Sequence, residues 1–500
     1  MRAMVRRGLI CGIAVNCERR GVGAWCNGIN NRLTMADPTR AALTRRRFLA
    51  ASAFSAAAAA APARAAQSAD NVEIAIIGAG AAGIAAARRI SGTRARFALI
   101  EATGRIGGRC FTDTQTFGAP FDMGARFIRQ PDLNPVMPLA TRAGFDIFPA
   151  TTSQQLRIGR RFARATELED FLTSIVRSSR AIGDAGRGKL DMPAAQGLPK
   201  DLFDWQSTVE FVLGPYACAK DLADVSAADF AHAAERDSDT YCRQGLGTVI
   251  AKLGEGLPVQ LSSPVTRIEW AGRAGVEIET ARGRVSARAA IVTVSTGMLT
   301  SDKIKFVPEL PRRQLDALGK LTLGSYDHIA LELPGNPLGL QRDELMFEKA
   351  DSNRTAAVVG NLSGTNVCTV DVGGKFGRDL SAAGDKAMIA FAIEWLTNLY
   401  GNDVKKALKR SRVSQWNNDP WTLGAFSAAT PGGQAARLAL AEPLRDRIFL
   451  AGEATHETQW GTVGGAWASG DRAAETVLKR LGFATEERRP QAAAPTGRRR

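Results

Sequence analysis

Histidine is scarce in this chain: three among 500 residues, His232, His328 and His456, all far apart. That spacing argues against a histidine-held metal, and no metal ligands are expected. Of seven cysteines, Cys11, Cys17 and Cys26 precede Met35. The others, Cys110, Cys218, Cys242 and Cys368, form no C-x-x-C and suggest neither a zinc site nor a disulfide framework. Internal repeats are absent, and the longest apolar run falls short of the roughly 20 residues that span a bilayer, so no stable membrane anchor is expected. A basic stripe is missing too, despite a formal charge of +15. Residues 1–66 hold eleven arginines against Glu18 and Asp37, and residues 485–500 hold five against Glu486 and Glu487, which leaves only +3 on the intervening body. Nucleic-acid binding is therefore not expected.

What the first 66 residues do contain is a sorting pattern. Thr44, Arg45, Arg46, Arg47, Phe48 and Leu49 resemble a twin-arginine export signal; an alanine-rich apolar run and a small-x-small site at Ala63-Arg64-Ala65 follow. The expectation is a signal peptide over 35–66, starting at Met35, with 1–34 a non-native extension and 485–500 a disordered basic tail. Twin-arginine translocase would then be a transient partner, and the destination the periplasm. Such export carries proteins that fold first, commonly around a cofactor.

The segment "EIAIIGAGAAGIAAARRISGTRARFALIE", 73 to 101, points to the cofactor. A short β-branched run is followed by Gly78, Gly80 and Gly83 in G-x-G-x-x-G spacing, an alanine-rich helix, a second strand and Glu101. Glycines there give a tight turn and let a pyrophosphate approach the backbone at a helix N-terminus, while the acid accepts ribose hydroxyls. The order of parts indicates dinucleotide binding. Arg109, after a Gly-Gly turn, is placed to neutralise a phosphate; Glu453, after the apolar strand at 448–450, is placed to meet ribityl or pyrophosphate hydroxyls.

"GRIGGRCFT" from Gly104, "DMGARF" from Asp122, "SPVTRIEW", "AAIVTVSTGML", "WNNDPWTLGAFSAATPGG" and "RIFLAGEATHETQWGTVGGAWASGDRAAETVL" resemble, in order, signatures of the flavin-containing amine oxidase family. The likeness runs from about Val72 to Leu478 and selects FAD over NAD. It implies an α/β fold: a Rossmann-like FAD-binding domain assembled from the discontinuous segments 67–130, 240–305 and 415–484, with an inserted α+β substrate domain from 131–239 and 306–414. The first insert reads as helical; the second opens with a strand, "SYDHIALEL", and has a helix over Lys386 to Tyr400. By resemblance, Gly124, Ala125, Val265, Trp421 and Val463 join the cofactor residues, Val265 through its backbone at the adenine. Gly464 and Gly465 would open a helix toward the flavin. Ala425 stands where covalently flavinylated relatives have cysteine, so FAD is expected to be non-covalent.

The family's chemistry is hydride transfer from the carbon next to an amine nitrogen to flavin N5, after which the imine hydrolyses, so a missing Ser-His-Asp group is no objection. Phe426 occupies one wall of the aromatic pair that commonly flanks the amine, and Thr462 occupies the other. Arg129 falls where polyamine-oxidising relatives place an acid, with Arg126 nearby, which favours an amine bearing a carboxylate over a polyamine. His328 takes the place of a lysine that assists reaction with oxygen; alternation puts Tyr326, His328 and Ala330 on one strand face. A histidine is largely uncharged near neutral pH unless a neighbour holds its proton, so slow reoxidation by oxygen is expected, with oxygen or a periplasmic electron carrier as the electron acceptor. Rival readings are an L-amino-acid-oxidase-like enzyme, a C–C desaturase of the same superfamily, and a flavin-binding structural module.

Overall fold

The computed structural model describes residues 71–150, 153–233, 239–272 and 275–483. The expected signal, extension and basic tail lie outside these, and everything described belongs to one unit, Ala65–Arg500. Strand β1 (Asn71–Ile77) runs into helix α1 (Ala81–Ser91) and then strand β2 (Phe97–Ile100). Ile74 to Ile77 are buried on both faces, which is why the run is continuously apolar rather than alternating. β1 pairs in parallel with β2 on one side and with strand Gly283–Val292 on the other. In all, eight strands form this sheet, joined late by Ile448–Leu450, which also pairs with Gly283–Val292.

The alanines of α1 serve close packing. A Cβ on Gly470 would lie 2.0 Å from the Ala82 carbonyl oxygen, so α1 and the terminal helix touch backbone to backbone. Three strands of the first insert, Ile147–Pro149, Gln154–Ile158 and Arg161–Phe162, correct the reading of 131–239 as helical, although α2 (Ala165–Gly186) is there as well. Gln154–Ile158 carries little pattern of its own; its parallel partner Glu344–Glu348 holds it in place. Both belong to a second, seven-stranded sheet built around β3 (Tyr326–Glu332) and β4 (Val367–Gly373). These two pair antiparallel, with His328 directly opposite Asp371 and Ala330 opposite Thr369. Helix Asp385–Tyr400 covers the apolar face of that sheet through Met388, Phe391, Trp395 and Leu396. The chain returns to the first sheet and ends in α3 (Val463–Leu481).

A fully buried ion pair ties the first insert to the C-terminal segment. Arg437 grips Asp229 through Nε and Nη2, both at 2.7 Å, and its Nη1 donates to Ser427 Oγ and the Ala454 carbonyl. Neither side chain is exposed. Removing one partner strands the other charge away from water, so Arg437→Met is expected to cost about 3–5 kcal/mol in denaturant unfolding. The double variant Asp229→Leu/Arg437→Met should recover most of that loss, and equal destabilisation of single and double variants would refute the stranded-charge account.

Candidate active site

One long cavity runs from the glycine turn after β1 to the face of β3 that carries Tyr326 and His328. At its first end the backbone is stripped of side chains for a reason that can be measured. Gly78 sits at φ +100°, and a Cβ on Gly83 would lie 1.8 Å from the Gly78 oxygen, so the turn closes only with glycine at both positions. Gly80 is less confined, with Gly108 Cα at ordinary contact, 3.9 Å from where its Cβ would be. The following turn, Gly107-Gly108, bridges back to Gly80 and donates from Gly107 N to the Ala79 carbonyl at 2.8 Å. No side chain caps α1 and no acid sits in its first turn, so its leading amides and positive dipole end are free for an anion. This cradle fits a pyrophosphate.

Glu101 ends β2 at the same mouth. Its carboxylate accepts from Ala79 N at 2.8 Å and from Thr103 N and Oγ1 at 2.9 Å, which fixes its direction and leaves lone pairs for ribose hydroxyls. Val265, Trp421 and Val463 line the cavity as well, as do Gly124 and Ala125. Gly83 does not line it; its task is the close approach to Gly78.

Midway, Arg109 and Glu453 meet each other. Arg109 Nη1 lies 3.2 Å from Glu453 Oε1 and also donates to the Ala425 carbonyl. Glu453 accepts further from Ser427 N and Oγ and from Gly461 N, at 2.8 to 3.0 Å. The separate contacts expected of these two residues are thus built on a shared ion pair, which holds the segments that face the cofactor. Gly464 and Gly465 are explained by packing: a Cβ on the first would strike Asn134 and on the second the Gln459 carbonyl, at 2.7 and 2.1 Å. Their neighbours Val463 and Ala466, not the glycines, reach the cavity.

The far end is lined by Arg126, Arg129, Tyr216, Tyr326, His328, Phe426 and Thr462. Every substrate-side residue expected from the sequence is present, but several differ in state. Arg126 is buried and bound to Asp371 Oδ2 at 2.5 Å and Thr369 Oγ1 at 2.9 Å. Arg129 pairs with Asp239 at 2.8 Å and keeps a quarter of its side chain exposed. Each arginine thus carries its own counter-charge, which weakens the repulsion of a polyamine expected from it. Thr462 spends its hydroxyl at the start of α3, accepting from Gly465 N at 2.9 Å and donating to the Gln459 carbonyl at 2.7 Å. It borders the cavity with its one proton already donated. The missing aromatic wall is supplied instead by Tyr326, 6.2 Å from Phe426 ring to ring, with Tyr216 a further 6.1 Å on. Tyr216 ends a π-turn, Val212–Tyr216, whose extra residue no sequence periodicity announces.

His328 has a partner that the sequence reading missed. Nδ1 lies 2.7 Å from Asp371 Oδ1, and Nε2 lies 3.0 Å from the Gly124 carbonyl oxygen. Tyr326 donates to the other Asp371 oxygen at 3.1 Å. Burial pushes the Asp371 carboxyl up, yet the Arg126 guanidinium and His328 outweigh it and hold the group below the usual carboxylate range. A signal for Asp371 did exist: an acid inside the strand "VCTVDVG", buried at every position, needs a cation.

This arrangement of glycine turn, ribose acid and flavin-facing strands is that of a dinucleotide-dependent oxidoreductase. A family model described as flavin containing amine oxidoreductase matches residues 81–478, and the chain belongs to that family. It is 27% identical over 449 residues to lysine-specific histone demethylase 2 of Homo sapiens, covering 81% of this chain and 53% of that protein, so it spans about half the demethylase. It is 26% identical over 447 residues to polyamine oxidase 4 of Oryza sativa subsp. japonica, covering 83% and 90%. The structure of putrescine oxidase bound to putrescine aligns with a TM-score of 0.68 at 21% identity, over 82% of this chain and 99% of that one. Cyclohexylamine oxidase from Brevibacterium oxydans IH-35A aligns at 0.69 and 18% identity, over the same shares. At such identities these structures show the fold: mixed α/β, as expected.

The cofactor is FAD, and Ala425, buried beside Arg109, offers no thiol for a link at that position. Acid precipitation should therefore release the yellow colour into the supernatant; flavin that stays with the pellet would contradict non-covalent binding.

Proposed function

We propose that the protein oxidises the C–N bond of an amine. The observation that carries this reading is the continuity of one cavity from the pyrophosphate cradle to an aromatic wall of Phe426, Tyr326 and Tyr216. FAD, when bound, supplies the hydride acceptor, and the chain's own groups do the rest. Aromatic faces clasp the carbon skeleton next to the amine and exclude water, and the paired arginines shape the entrance. Among the described residues, the carboxylates at this end are matched: Asp371 by Arg126 and His328, Asp239 by Arg129. Among these described residues a second ammonium group would find no unpaired acid, which favours a monoamine over a diamine or polyamine. Arg129, partly exposed and engaged through one nitrogen, keeps an amino acid or carboxylated amine as the second reading.

Anaerobic mixing of the holoenzyme with a panel of monoamines, polyamines and amino acids tests this. Flavin bleaching by monoamines is expected; bleaching by spermidine above all others would refute the charge argument, and no bleaching by any amine would refute amine oxidation. Reoxidation is proposed to pass to oxygen or to an electron carrier at the site of export.

For location, the reading is twin-arginine export to the periplasm, supported by the pattern around Arg45 and Arg46. A fusion of residues 35–70 to a folded reporter is expected to leave the cytoplasm, and Arg45→Lys/Arg46→Lys to stay behind. Unchanged export of the double variant would rule out this route.

A further inference from the structure

We propose that Asp371 is a positioning residue that keeps a proton on both ring nitrogens of His328, so that a fixed imidazolium faces the cavity. Both contacts of the ring are to acceptors: a carboxylate oxygen at 2.7 Å and a peptide carbonyl oxygen at 3.0 Å. A neutral imidazole has one N–H, so one contact would set a bare lone pair against an oxygen. In water such a clash is relieved by solvent; here His328 is 3% exposed and Asp371 1%. Asp371 is no source of a shared proton, because Arg126 and the Tyr326 hydroxyl already bind its other oxygen. Register makes the geometry rigid, since the two residues lie opposite each other on β3 and β4.

Two further buried carboxylates lie within electrostatic reach of the ring, neither bonded to it. Asp122, on the neighbouring strand Phe121–Asp122, takes its donors from Thr112, Leu246 and Gly247. Asp327 points the other way, to Ser414 and the Trp416 amide. Tyr326 stays a neutral phenol, pushed well above its usual range by burial and then by Asp371. Within hydrogen-bond reach, two cations, Arg126 and His328, share the one anion Asp371. The His328 imidazolium lines the cavity with that shared carboxylate as its hydrogen-bonded anion. It disfavours an ammonium ion beside it, so the amine reacts as the neutral base, and it favours negative charge developing on the cofactor. This consequence rests on the amine-oxidising reading, whereas the protonation state does not.

The test uses holoenzyme isotopically labelled at its histidine ring nitrogens. Only three imidazoles contribute to the spectrum, and His456 supplies a neutral reference. Its Nδ1 accepts from the Gln459 amide at 3.0 Å, and burial, with Arg472 and Arg437 nearby, pushes it down to about 4. At neutral pH the His328 ring should show two protonated nitrogens in the wild type and one in Asp371→Asn. A bare nitrogen in the wild type overturns the proposal, and that measurement stands even where the asparagine variant does not fold. As a second readout, His328→Gln should lower the reduction potential of the bound flavin; an unchanged potential overturns the claim that the charge reaches the cofactor. Because no amine is present in either measurement, their failure and failure of the amine panel are separate results.

Discussion

A carboxylate taken out of water must be met by a cation or by several donors, and three such carboxylates hold this molecule's distant segments around one cavity. Glu453 brings the C-terminal segment to Arg109, Asp371 brings the second insert to Arg126, and Asp229 brings the first insert to Arg437. The glycine turn and strand β1 need none of these, since local backbone geometry suffices. The far wall does need them. Each arginine spends its charge on assembly, so what remains facing the cavity is set by the cluster of His328, Asp371 and Arg126.

How much of this was readable from the sequence depends on the range over which each feature is determined. Gly78, Gly80, Gly83 and Glu101 stand within 24 residues, and their chemistry is contained in that stretch. The alternation of Tyr326, His328 and Ala330 is equally local: Tyr326 and His328 reach the cavity, and Ala330 packs in the core with Phe121 and Trp416. Arg126 and Arg129 were found as residue types and misjudged as charges, because Asp371 and Asp239 stand 245 and 110 positions away. Thr462 marks the lost half of an aromatic pair in the sequence, and local rules for helix starts already gave its hydroxyl a cap. The strand at 154–158 failed for another reason: its partner at 344–348 determines it, and periodicity within five residues is too short to compete.

The histidine at 328 shows why a residue type is not a charge state. On sequence alone it is a weaker cation than lysine, and slow reaction with oxygen follows. The register of β3 and β4 alters that premise by placing a carboxylate at Nδ1, while the Gly124 carbonyl takes Nε2. A lysine would carry its charge on a mobile stem and lend its protons to water. His328 is locked at both nitrogens, so its contribution is a field and not a proton donor, and the same hydrogen bond pins the Gly124–Ala125 backbone that lines the cofactor cavity. A wall that both orients backbone and carries charge needs no mobile group, which is the electrostatic preorganisation a hydride transfer calls for: the field is in place before the charge develops.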